Sequence, residues 1–436
     1  MKTLPVVICA VQLWLAPLAG AQQMTLTRPA ASPLNPSVSD AGVLFLLIQP
    51  SPRANGMGGA SVSSETNDAM GVAFNPALLG RLVRENYFGI EFYPTKADWL
   101  PVFGGLTYDA KTVFLGFDLG RLYQGVPVSL GLAYTRVFLD LGEQLVTDES
   151  GNVLGTFRSS ERVNVWTIGL GIDYVIKAGT GWSFKNIDSR LSPIGAGSER
   201  GDGNAKANAH DFGLVVHLPI HEAFSKLTAT SLDIRPGLSP TLGAGFGYSR
   251  SNVGDEISYI EAAQADPLPR IARIGVSASA GLAYKTEAQA WQLVRFEMLS
   301  EAEQVLVHRF FDGSFKYTDG IGDIEFWNNL VRGKAASADI VKVKGWELNL
   351  LEILSLRGGS HEDPDGPVIY HSHGVGVSLR GVFKAMRTLG PEFQKGGTLD
   401  LLTRHLDLQF NTSSLDIADG HPLSGTSFHG ISISIF

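Results

Sequence analysis

The chain has a single cysteine, Cys9, in 436 residues, so disulfides are excluded as a source of its stability. Charged residues make up 18%, against about 25% in an ordinary soluble domain. No stripe of lysine and arginine is present and the formal net charge is -8, which argues against a nucleic-acid partner. Beyond the first residues, no stretch supplies the about 18 consecutive apolar residues that a membrane helix needs. No G-x-S-x-G elbow or comparable nucleophile signature appears, so no enzymatic activity is expected. Glycine, by contrast, is abundant at 50 residues, well above the usual ~7%.

Residues 1–21 read as a secretory signal. Lys2 supplies the positive start, Leu4 to Leu18 the apolar core, and Ala19-Gly20-Ala21 the small-x-small site, with cleavage predicted after Ala21. Cys9 falls inside that core, too early and behind the wrong residues (Val7-Ile8) for a lipoprotein. Cleavage would leave a mature chain without cysteine and, with Lys2 gone, a net charge of -8 - 1 = -9. Residues 22–43 begin with a Pro-, Ser- and Thr-rich tract that lacks periodicity, and are expected to form a flexible periplasmic leader.

The stretch 44–85 gathers Gly56, Gly58, Gly59 and Gly71 with Pro50, Pro52 and Pro76 around short apolar runs. Glycine weakens helix and strand alike and proline removes a donor, so an irregular, compact element is expected, pressed against other backbone. From Asn86 to Phe436 the pattern changes to a period of two. Trp166, Ile168, Leu170, Ile172, Tyr174 and Ile176 alternate with Thr167, Gly169, Gly171 and Asp173, and the same split recurs at Val128–Thr135, Thr241–Ser249 and Arg273–Tyr284. Such alternation suits a sandwich or a barrel. Two details favour a barrel: apolar faces that end in Tyr or Trp, like interfacial girdles, and polar faces of Gly and Ser rather than Lys and Glu. The expected fold is therefore all-β, a transmembrane antiparallel β-barrel of about 14 strands with an N-terminal plug or hatch. Long connections are expected at Lys177–Ala209 and Ser300–Asp339, and a short turn at Asp109-Ala110.

Several small motifs invite a chemical reading, and each has a plainer one. Gly56-Met57-Gly58-Gly59 lacks the spacing of a phosphate cradle and suits tight backbone packing. Asn75-Pro76-Ala77 fits a turn whose Asn side chain caps nearby backbone, or a latch that shifts on ligand binding. His371 and His373 share a strand face with His361 nearby, but no third ligand stands at fixed spacing, so no metal is expected. Asp363-Pro364-Asp365-Gly366 lacks the closing glutamate of a calcium loop and reads as a turn. No cofactor is expected. Phe436 ends the chain as the terminal aromatic that outer-membrane barrels present to their assembly machinery, although Ile431, Ile433 and Ile435 occupy the opposite face.

The order R-A-N-G-M-G-G-A-S-V-S (from Arg53), then N-D-A-M-G-V-A-F-N-P-A-L-L-G (to Gly80), resembles the N-terminal region of the PorV/PorQ family. That family belongs with FadL-like outer-membrane barrels, whose hatch carries a similar Asn-Pro-Ala, here Asn75, Pro76 and Ala77. Pro267–Tyr284 and Gly345–Gly381 fit the resemblance as well. It implies fourteen strands, an outer-membrane location, and partners among membrane lipid and the barrel assembly machinery. For function it implies one of two roles. A PorV-like barrel works in type IX secretion and surface attachment, binding the C-terminal domains of secreted cargo or other secretion-system subunits. A FadL-like barrel carries hydrophobic small molecules across the outer membrane. Lumen faces of Gly, Ser and Thr lean toward the first, with the two long connections as the contact surface.

Overall fold

The computed structural model describes residues 40–436, apart from 66–67, 85–86, 123–126, 148–149, 193–202, 229–231, 260–264, 286–289, 311, 335–338, 365, 367, 390–396, 398–400 and 403–404. The expected signal, with Cys9 and Ala21, and most of the expected leader lie outside the described residues.

Strand after strand follows the period-two pattern. We number them β1 (Phe88–Phe92), β2 (Thr107–Asp118), β3 (Val128–Thr147), β4 (Val153–Asp173), β5 (Lys177–Ser192), β6 (Gly203–Pro219) and β7 (Leu238–Gly254). The second half holds β8 (Ile271–Lys285), β9 (Ala290–Val305), β10 (Ile340–Leu350), β11 (Leu354–Asp363), β12 (Val368–Ser378), β13 (Leu406–Asp416) and β14 (Ser427–Ile435). Each pairs antiparallel with its neighbours in the chain, and β1 pairs with both β2 and β14. The ring is closed with fourteen strands, a short Ala97–Asp98 segment making up the fifteenth of the sheet. Closure leaves no strand edge, so every ladder group in the wall has a partner.

Burial follows the expected parity. Along β4, Trp166, Ile168, Leu170 and Ile172 stand exposed while Val165, Thr167, Gly169 and Gly171 are buried. Phe296, Trp346, Val375 and Phe410 continue this exposed apolar surface around the ring. An apolar belt of that extent is the surface of a protein solvated by acyl chains. Crossing about 30 Å of hydrocarbon takes about 9–11 tilted residues, and β4 has 21, so its first half projects beyond the membrane. The hairpin it forms with β3 is the extended one that Leu141–Arg162 suggests in sequence.

Three sequence expectations are corrected. Lys177–Ala209 is not a loop: all of β5 and the start of β6 lie within it and pair from Lys177↔His217 onward. Asp109-Ala110 is not a turn but strand, paired with Phe138 and Val137. The lumen-filling part of the chain starts before residue 44, because Ala41 and Val43 are already buried and the Gly42 amide donates to the Pro267 carbonyl at 3.0 Å. Ser300–Asp339 is a long connection after β9, carrying a small hairpin (Val307–Arg309 with Phe315–Tyr317) and a π-helical turn, Phe326–Val331.

Candidate functional site

Residues 41–84 thread through the barrel as short helical turns joined by irregular backbone. Their seat is a set of inward glycines. At Gly131, Gly169, Gly179 and Gly345 an added Cβ would lie 2.5–2.8 Å from atoms of Leu79, Gly80, Ala77 and Met57. Gly171, Gly181, Gly213, Gly247 and Gly359 approach the segment closer still, at Gly80, Pro76, Asn75, Val62 and Met57. The wall is smooth where the segment passes because any side chain there would displace it.

Charge supplies the rest of the attachment. Arg53 donates through Nε to Oε2 (2.9 Å) and through Nη2 to Oε1 (3.1 Å) of Glu347 on β10. Glu347 also accepts from Arg357 Nε at 2.5 Å, and Arg357 Nη1 reaches Asn411 at 2.9 Å. All are buried, and a two-pronged guanidinium–carboxylate pair out of water holds its partners in one geometry. Other wall carboxylates accept the segment's own backbone amides: Glu301 from Val62 (2.8 Å), Glu297 from Glu65 (3.1 Å), and Glu91 from Ala69 and Met70 (3.1 and 3.2 Å). At the Glu65 side chain Arg295 donates from 2.7 Å. Burial alone would push the Glu65 carboxyl up; Arg295, with help from His217, offsets this and holds it below its ordinary value.

The motifs singled out in sequence all fall in this region except Phe436. Gly58 and Gly59 have φ of 74° and 98°, a turn that only glycine makes cheaply, and Gly58 backs onto Ser360 of β11 while Gly56 meets Gly374 of β12. Asn75 is buried, donates to the Val62 carbonyl at 2.8 Å and accepts from the Ala77 amide at 3.1 Å, so Asn75-Pro76-Ala77 starts the Ala77–Leu82 helix. His361 faces inward, stacked on Tyr370 with ring centroids 4.8 Å apart, whereas His371 and His373 are exposed. Among the described residues, no group of three metal-ligating side chains forms. Phe436 does not face lipid: its ring lines the lumen, 3.9 Å below the Arg380 guanidinium, and Ile435 is the exposed neighbour. Glu91, Glu297, Glu301 and Glu347 were not singled out in sequence, although each occupies the inward phase of an otherwise apolar strand.

The threaded segment divides the lumen in two. Toward the end holding Phe436 lies a vestibule of about 820 Å³, lined by Arg53, Glu65, Lys177, Arg295, Glu352 and Asp407 among other polar groups. Toward the opposite, distal end the inward wall is apolar: Tyr108, Val137, Leu139, Val165, Ile187 and Phe428 pack around Phe45 and Leu46. The reading of the lumen as mostly Gly, Ser and Thr is thus corrected for its distal half. With a sealed ring, an exposed belt and a filled interior, one description suffices. The fold is a plugged transmembrane barrel.

No family model and no curated relative matches the chain. Among solved structures it is similar to the toluene transporter TodX of Pseudomonas putida (12% identity, TM-score 0.34, covering 88% of this chain and 96% of that one). It is also similar to the toluene transporter TbuX of Ralstonia pickettii (10%, TM-score 0.32, 88% and 96%) and to OpdL of Pseudomonas aeruginosa (8%, TM-score 0.30, 80% and 97%). Likeness of this degree carries no functional argument, and the barrel's own geometry has to supply one.

Proposed function

We propose that this plugged barrel sits in a bacterial outer membrane and admits hydrophobic small molecules through its distal lumen. The observation that supports this is the apolar inner wall around Phe45 and Leu46. A water-filled pore is lined by polar side chains, whereas a wall of Val, Leu, Ile and aromatic groups favours solutes that leave water readily. Phe45 and Leu46 occupy the space that a solute would take, so entry displaces the Leu44–Leu47 turn and passes the disturbance to the plug behind it. The end holding both barrel termini then faces the periplasm. No catalytic step and no cofactor enters this reading.

The test is binding of tritiated oleate and toluene to detergent-purified protein, compared with Val165→Asp. A buried carboxylate in the chamber is expected to weaken binding by tenfold or more, since an unpaired polar group in apolar surroundings costs about 1–3 kcal/mol or more. Unchanged affinity in a variant that keeps its heat-modifiable migration overturns the proposal. A secretion role, the other function the resemblance implies, is favoured by one observation: Val102, Phe103, Leu145, Val153 and Leu154 are exposed on distal connections, where a β-domain could dock. Capture of secreted cargo from native outer membranes, with no bound apolar solute, would select that reading.

A further inference from the structure

The connection after β9 does something loops seldom do: it folds back over the outside of the wall. Ile324 and Leu330 are buried against Ala272 and Ile274 of β8, Ala302 of β9 and Ile340 of β10, all in the outward phase of their strands. The Phe326 ring lies 6.3 Å from Phe246, an outward residue of β7. Two polar contacts fix the fold-back: Ser300 Oγ donates to the Leu330 carbonyl at 2.9 Å, and Gln304 Oε1 accepts from the Asp323 amide at 2.6 Å. With its inner side so used, the turn Phe326–Val331 turns Trp327 (68% exposed) and Val331 outward.

At the other end of the same sector, β6 and β7 are joined through an α-helix, α1 (Ile220–Thr228). Ile220, Phe224 and Leu227, spaced four and three apart, form one exposed stripe, and it prolongs the outward phase of Phe212, Leu214 and Leu218 on β6. The opposite side of the helix is polar: His221 and Glu222 line the vestibule, and Lys226 Nζ donates to the Tyr174 carbonyl at 3.1 Å.

We propose that the Phe326–Val331 turn and helix α1 lie in the two boundaries of the bilayer, with lipid as the occupant of both apolar stripes, so that they clamp the β6–β9 sector at fixed depth. The argument is continuity. Each stripe extends a wall surface that already faces acyl chains, and in each the polar side is committed to the protein. A helix or turn of this kind buries its apolar side about 5–10 Å into the headgroup boundary, and an exposed tryptophan is the side chain that prefers that depth. The proposal rests on the barrel spanning a membrane, and adds to it a sector whose vertical position is held from both sides.

Single cysteines carrying nitroxide labels, in a Cys9→Ala background, test it in protein reconstituted into phosphatidylethanolamine–phosphatidylglycerol vesicles. Trp327→Cys, Val331→Cys and Leu227→Cys are read against Phe296→Cys on the lipid-facing wall and Asp312→Cys at a hairpin tip. The three labels are expected to match Phe296→Cys, with high relaxation by oxygen and loss of relaxation by a water-soluble nickel chelate. Nickel relaxation at the level of Asp312→Cys, while Phe296→Cys stays shielded, overturns the clamp and leaves the barrel standing. Shielding from both reagents indicates a protein partner or a second copy and also overturns it. Nickel access at Phe296→Cys itself would bring down the membrane reading.

Discussion

Arg53 is the residue on which the plug's position depends. Its guanidinium holds both oxygens of Glu347, and no water reaches any of the three groups in the Arg53–Glu347–Arg357 cluster. Removing one member of such a buried cluster strands the others, at a cost of about 3–5 kcal/mol. In Arg53→Ala, amide exchange over residues 54–59 is expected to accelerate by about two orders of magnitude or more, with the barrel still folded; unchanged exchange would show that packing alone seats the plug. The Glu65–Arg295 pair behaves differently because it answers to pH. The folded-state pKa of Glu65 is depressed, so its contribution is complete above the ordinary carboxylate value near ~4.3 and fades as pH falls through the folded value. Glu65→Gln should therefore lower the stability of plug docking at pH 7, and the gap to the parent should close below about pH 4. A gap that persists in acid would assign the effect to packing. The inward glutamates were legible in principle, since Glu297, Glu301 and Glu303 share one phase of β9. Phase tells which side a carboxylate faces, however, and not which backbone amide it will find there.

At the scale of elements, the wall glycines explain both what the sequence revealed and what it concealed. Alternation of Gly with Trp, Ile and Leu marked β4 and its neighbours correctly, because their outward residues meet lipid. It failed at Lys177–Ala209, where Gly179 and Gly181 offer nothing inward but room for Ala77 and Pro76, and where Asn204, Lys206 and Asn208 point outward without an apolar partner. A strand loses its apolar face once it rises out of the membrane, so the far ends of β5 and β6 look like loop. The apolar distal chamber was hidden for a related reason: Val163 and Val165 lie on the phase that is Thr and Gly further along β4. Gly181→Val tests the seat directly. A branched side chain meeting the Pro76 carbonyl should unseat the Ala77–Leu82 helix and raise single-channel conductance in planar bilayers, with heat-modifiable migration retained. Conductance at the parent level would mean the plug yields without leaving.

For the whole molecule, hydrogen-bond closure replaces the covalent staples the chain lacks. The exposed belt, the glycine seat and the plug's buried charges depend on one another: small inward residues are tolerable only because the plug fills them, and the plug is held only because the wall surrounds it. That mutual dependence makes the fold readable from alternation and glycine content alone. The depth of the lumen, its two unlike halves and the fold-back after β9 depend on register between distant strands, which no local pattern encodes.

The ring is uneven in one respect. β1 offers five residues to each neighbour, whereas the β8–β9 ladder runs from Lys285↔Ala290 to Ile271↔Val305. The seam through which a nascent cylinder shuts is thus also its weakest stave, and forced extension from either terminus should tear there before anywhere else. A crosslink between Gly89→Cys and Ser434→Cys, which face each other across it, ought to raise the rupture force; no gain would place the first tear elsewhere.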